Sequence, residues 1–275
     1  MPPNTAADFG LFRIERDGGS TIALPRRGYL CDHDPRTPMR GRLFGWMYHS
    51  NAWLAISVIY LGVSLPAALD THDLLVRAAF CVAVQFNLWI SDVFHNDDLA
   101  PGGPTRAGEL SAYRQDQVGI AAVQHSWSVL WAKRLFYGGG IEHALLISAA
   151  AAVGVVLVNL LLCTPALLDK DEATFYRLFE RYSMASKALL GLQFVGGIGG
   201  VVYTACSMAP PMAHLRFGPA TVFCVYFPGL IMFVVPQAID RVLVPCCGGM
   251  GRHEIFHLCC LGGYITTLVL DTQLW

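Results

Sequence analysis

Residues 253 to 257 read HEIFH, two histidines four positions apart with a glutamate between them. On a helix that spacing turns both imidazoles to one face, where they can grip one metal ion. It is also the signature of zinc proteases, in which the glutamate activates water. A second set stands in SDVFH, where Ser91 and His95 are again four apart, and Asp116 follows in YRQDQVGIA. His95, His253 and His257 together supply three nitrogen donors, the ligand number of a catalytic zinc that keeps one position open for water. Asp116 can orient that water, and Ser91 stacks a hydroxyl beside the His95 ring, so these two are the catalytic candidates. The competing chemistry is an intramembrane metalloprotease with Glu254 as base and Asp271 as third ligand. Asp271, however, follows His257 by fourteen positions, about 21 Å along a helix.

The elements that must position these residues are membrane helices. Of the 275 residues 54% are hydrophobic and 14% charged, where a soluble domain carries about 25% charged residues. The apolar residues fall into seven runs near the length a helix needs to cross a bilayer. They begin at Asn51, near Leu74, near Val118, at Ala144, at Ala188, at Pro219 and at HEIFH. The expected fold class is therefore all-α, a seven-transmembrane-helix bundle over residues 45–275, behind a polar, partly disordered tail over residues 1–44. Seven arginines in that tail, from Arg13 to Arg42, keep the amino terminus cytosolic and place the carboxyl terminus outside or in a lumen. The cytosolic segments are expected near 96–115, 163–186 and 237–252, and Arg77 is expected to snorkel to an interface. No nucleic-acid partner is expected, and the net charge of −1 says nothing of others.

Topology gathers the chemistry at one depth. The second run ends, and the third and seventh begin, on the same membrane face, so His95, Asp116, His253 and His257 share a level whichever way the chain is inserted. Ionisable groups in such places are expensive and mark function. The glycines of GLQFVGGIGG, residues 191–200, read as small-residue helix packing rather than a nucleotide loop. Pro228 and Pro236 read as kinks. Most of the nine cysteines read as small hydrophobes, whereas the Cys246/Cys247 pair is open to acylation or metal binding.

Three stretches together, SDVFH, RQDQVGIA and HEIFH, resemble the progestin and adipoQ receptor family, which includes the hemolysin III proteins. That family carries Ser-x-x-x-His at the end of its second core helix, an aspartate opening the third and His-x-x-x-His opening the seventh. GYL at 28–30 and the Asn51-x-Trp53 start of the first run extend the resemblance over about residues 28 to 262. The chain departs from the family pattern at Tyr48, where a glutamate is usual, at Gln115, where leucine is usual, and in a longer loop after His95. It also lacks a later histidine in the seventh helix. The resemblance implies zinc near the cytosolic face, held by His95, His253 and His257, and a ceramidase-like hydrolysis of a membrane lipid amide such as ceramide. In that chemistry Asp116 orients or deprotonates the water and Ser91 positions the carbonyl. The competing class that the resemblance allows is a receptor for an extracellular ligand, or a structural membrane protein, with a structural zinc. A transporter is a third class, weakened by the lack of acidic residues in midspan.

Overall fold

The computed structural model describes residues 11–15, 21–25, 42–65, 71–96, 106–135, 141–162, 170, 172–207, 214–234, 239, 242–243, 246–247 and 250–273. The described body is helical: α1 (Arg42–His49), α2 (Ala52–Ser64), α3 (Thr71–Asn96), α4 (Arg106–Arg134), α5 (Ile141–Leu162) and α6 (Glu172–Leu192). α6 passes through a π-helical stretch, Gln193–Ile198, into α7 (Gly199–Cys206); α8 (His214–Val234) and α9 (Arg252–Gln273) follow. The described parts of the seven apolar runs are helical, the run from Ala188 crossing α6, the π-helical stretch and α7.

Among the described residues, four helices are long and apolar enough to cross a membrane, within Thr71–His95, Ile141–Leu161, Arg177–Cys206 and Arg252–Thr272, and two shorter apolar helices cover Ala52–Ser64 and Phe217–Met232. α4 is long but carries Asp116, Gln117, Gln124, His125 and Ser128 along its length, which is why apolarity alone does not mark it as a crossing. The distribution of side chains is that of a multi-pass membrane protein. Leu146, Val58 and Ile59 are about two-thirds exposed, while Arg77, Asp73, Gln193 and Asp271 have no exposed surface at all. Apolar groups lose nothing by facing lipid, whereas every polar group there must find a partner inside the protein.

Contacts fix the directions of the helices. A Cβ on Gly119 of α4 would stand 3.1 Å from the Asn87 amide and 3.2 Å from Ile90, and Arg134 at the other end of α4 pairs with Asp73, so α3 and α4 are antiparallel. α9 also opposes α3, since Tyr264 donates to Asn87 Oδ1 at 3.4 Å and His253 meets His95. The glycine stretch packs as its small residues predict. A Cβ on Gly197 or Gly200 would sit 2.8 Å from Ser148 Cβ or Ala144 Cβ on α5, so only glycine permits that backbone approach.

Several expectations need correction. The loop expected between His95 and Asp116 is helical from Arg106, and the segment near 163–186 is helical from Glu172. The reason is amphipathic spacing beyond the apolar runs: Phe175, Leu178, Phe179 and Tyr182 recur at helical period. They pack against Phe94, Leu110 and Tyr113 in a small second core, tied by a 2.7 Å hydrogen bond between Tyr113 and Ser183. Within the amino-terminal tail, the strands β1 (Leu11–Glu15) and β2 (Thr21–Pro25) pair as an antiparallel hairpin, a feature the reading of a polar tail omits. The remaining call of partial disorder in the tail falls outside the described residues, as does Pro236. Pro219 and Pro228 lie inside α8.

Candidate metal centre

HEIFH opens α9 because RHEI carries its own cap. Glu254 is buried and its carboxylate accepts the Gly251 backbone N–H at 2.8 Å, satisfying one of the amides that a helix start leaves unpaired. That contact engages one of the two Glu254 carboxylate oxygens at the helix terminus.

The first turns of α9 meet the last turn of α3. The Nε2 atoms of His253 and His95 lie 2.9 Å apart, and one nitrogen from each of His95, His253 and His257 falls within 4.8 Å of the others. Ring centroids are separated by 4.3 Å for His253 and His257, 4.5 Å for His95 and His253, and 5.4 Å for His95 and His257. His95 and His257 are buried and His253 half-buried. These donors fit one divalent ion. Nitrogens about 2.0–2.1 Å from a tetrahedral zinc stand about 3.3 Å from one another, a separation that lies between the 2.9 Å of the His95–His253 pair and the 4.8 Å limit of the set.

Around the imidazoles the walls are aromatic. Phe44 of α1 stacks on the His257 ring at 4.1 Å and 9°, and Phe94 leans on His95 at 4.9 Å. His49, the last residue of α1, reaches the Asp92 carboxylate of α3 at 2.8 Å. α1 is thereby fastened beside the site at two points. It turns into α2 at Asn51, whose φ of 55° is a left-handed conformation that asparagine tolerates better than most residues. Trp53, next along, is fully buried with its indole N–H on the Cys81 carbonyl at 3.0 Å.

Ser91 and Asp116 lie one turn deeper. Gly119 faces Asn87, so the residues one turn nearer the histidines on these antiparallel helices are Asp116 and Ser91, both buried. Gln117 contacts the Asp116 carboxylate at 3.5 Å.

The far end of the same three helices holds a second charged cluster that the sequence reading did not assemble. Arg134 of α4 donates to Asp271 of α9 at 2.5 Å and pairs with Asp73 of α3. Arg77 sits 3.2 Å from each of the Asp73 and Asp271 carboxylates, and Tyr60 of α2 donates to Asp271 at 2.7 Å. All five residues are buried. Arg77 therefore does not snorkel: it is fully buried against the Asp73 and Asp271 carboxylates, which it shares with Arg134. Asp271 is committed to two arginines, a full helix length from HEIFH. The signal in the sequence was the Asp73/Arg77 spacing of four; the partners on α4 and α9 had none.

Comparison with known proteins yields no match, whether to a family model, to a curated protein or to a solved structure.

Proposed function

We propose that the chain crosses the membrane seven times and acts as a zinc-dependent, ceramidase-like lipid amide hydrolase, a divergent relative of the progestin and adipoQ receptors with a cytosolic amino terminus. The observation that carries this reading is the buried meeting of three imidazoles from two helices, one turn above a buried serine and a buried aspartate.

Alternation of the helices supports seven crossings. α3 and α4 oppose each other, and so do α5 and the continuous α6–α7 unit, where Gly154 faces Leu189 of α6 while Gly200 of α7 faces Ala144. α8 opposes α9, with Gly229 against Cys259 and Gly263 against Tyr226. The short helices α1 and α2 together accompany α9 from His257, where Phe44 stacks, to Asp271, which Tyr60 reaches. That is fourteen residues, about 21 Å of helix, so the two act as one crossing bent at Asn51.

His95, His253 and His257 would hold the zinc, which when bound supplies Lewis acidity toward a water and an amide carbonyl. Asp116, buried and acceptor-rich, takes the proton from the attacking water and returns it to the leaving amine nitrogen as the carbon–nitrogen bond breaks. The Ser91 hydroxyl positions the carbonyl oxygen. Burial of both groups excludes bulk solvent, and a substrate arriving from the bilayer yields a fatty acid and a sphingoid base.

The test compares wild type with Asp116→Asn in proteoliposomes containing a short-chain ceramide. On this reading the variant keeps its zinc and its turnover falls by about 10²–10⁴-fold, the usual weight of a general base. Zinc in both proteins with turnover in neither would instead support a receptor whose metal staples α3 to α9.

A further inference from the structure

α4 is the most polar of the long helices, and its polar groups are only partly used. Gln117, Gln124 and Trp131 follow one another at intervals of seven, so they form a single stripe drifting by about 20° per step. Gln117 Oε1, Gln124 Oε1 and the Trp131 indole N–H are each buried without a hydrogen-bond partner among the described residues. Trp131 has no exposed surface and Gln117 is 6% exposed.

Across from this stripe lies the π-helical stretch. Gln193 donates to the Ala121 carbonyl at 2.9 Å, yet its own Oε1 is buried without a partner among the described residues. Ser128 lies on the same stripe, 3.4 Å from where a Gly197 Cβ would stand, with Ser148 beside it. A π-helical turn is costly and recurs at functional places; here it delivers Gln193 to the seam between α4 and α5.

Four unsatisfied polar atoms along one interior seam would cost about 1–3 kcal/mol each if left so. Three are acceptors and one is a donor. A ligand that both donates and accepts, is small enough for fully enclosed positions and recurs along about 21 Å of helix is water. Buried waters make about three hydrogen bonds apiece, and glutamine oxygens, serine hydroxyls and an indole N–H supply them. We propose that the seam holds a file of ordered water molecules, reaching from Gln117, which contacts Asp116, to Trp131, three residues short of Arg134.

This placement gives the file a role. Hydrolysis consumes one water per turnover, and a site buried in the membrane must be supplied through protein. Resting on the hydrolase reading, the seam feeds water toward Asp116 from the side opposite the histidines. As a water site it stands without that reading.

The buried tryptophans provide the test. Trp53 donates to Cys81 and Trp127 to Thr267, whereas Trp131 faces the seam. X-ray radiolysis of the protein in lipid nanodiscs generates hydroxyl radicals only where water is, and mass spectrometry reads the oxidation of each tryptophan. The expected result is Trp131 oxidised about ten-fold faster than Trp53, since only an adjacent internal water delivers the radical. In Gln124→Leu and Gln193→Leu that rate falls toward the Trp53 value with bound zinc unchanged. Trp131 as protected as Trp53 in wild type overturns the proposal, and so does a Trp131 rate that neither substitution alters. Ceramide turnover enters none of these readouts, so a failed water file and a failed hydrolase remain distinguishable.

Discussion

His95 stands alone on α3 against two imidazoles on α9, which makes it the residue whose removal is most informative. Replacing it with alanine leaves two imidazoles one turn apart, a pair too weak to retain a divalent ion through purification. Metal analysis by mass spectrometry should find about one zinc per chain in wild type and almost none in His95→Ala, given a three-nitrogen site. Zinc unchanged in the variant would mean that HEIFH draws its third ligand from elsewhere. The aromatic surroundings have a physical logic of their own. Phe44 lies flat on His257 and so fixes the plane of that ring, doing by stacking what a hydrogen-bonded outer partner does in many metal sites.

Helix packing turns on where the bundle admits no side chain. Gly200 stands against Ala144 with 2.8 Å available to a Cβ, whereas Gly62 on α2 has nothing within 4 Å. Gly200→Leu should therefore force α5 and α7 apart and lower stability by about 1–3 kcal/mol, as overpacking does. Gly62→Ala should be neutral or stabilising by up to about 1 kcal/mol through helix propensity. Thermal unfolding in detergent, followed by tryptophan fluorescence, separates the two; equal destabilisation would mean that close approach is not what the glycines provide. The extensions of α4 and α6 beyond their apolar runs follow the opposite rule. They bury an aromatic cluster, Phe175 against Tyr113 and Phe94, as soluble helices do, and so brace the end of α3 that carries His95.

Over the whole molecule, α3, α4 and α9 are held at both ends by polar groups: imidazoles and Asp116 at one, two arginines and two aspartates at the other. The far cluster is balanced in charge, so losing one member is worse than losing an opposite pair. Asp271→Asn should cost about 3–5 kcal/mol, the penalty for leaving a buried cation underpaired. Adding Arg134→Met to it should recover part of that loss, because Asp73 and Arg77 remain a neutral pair. A double-mutant cycle by chemical or thermal unfolding measures the difference, and strict additivity would show that the residues do not act together. The sequence by itself determined the helical, membrane-type architecture, because a run of apolar residues long enough for a bilayer is a local property. It also brought His95, His253 and His257 to one level, because spacing of four and the alternation of crossings are both countable along a chain. Only the tertiary structure decided that Arg77 turns inward and that Asp271, which its spacing already separates from HEIFH, pairs with two arginines. It alone put Phe44 on His257 and lined up the buried polar atoms of the seam along α4. Those outcomes depend on which faces of distant helices meet, and side-chain pairing across a bundle leaves no periodic trace in any one helix.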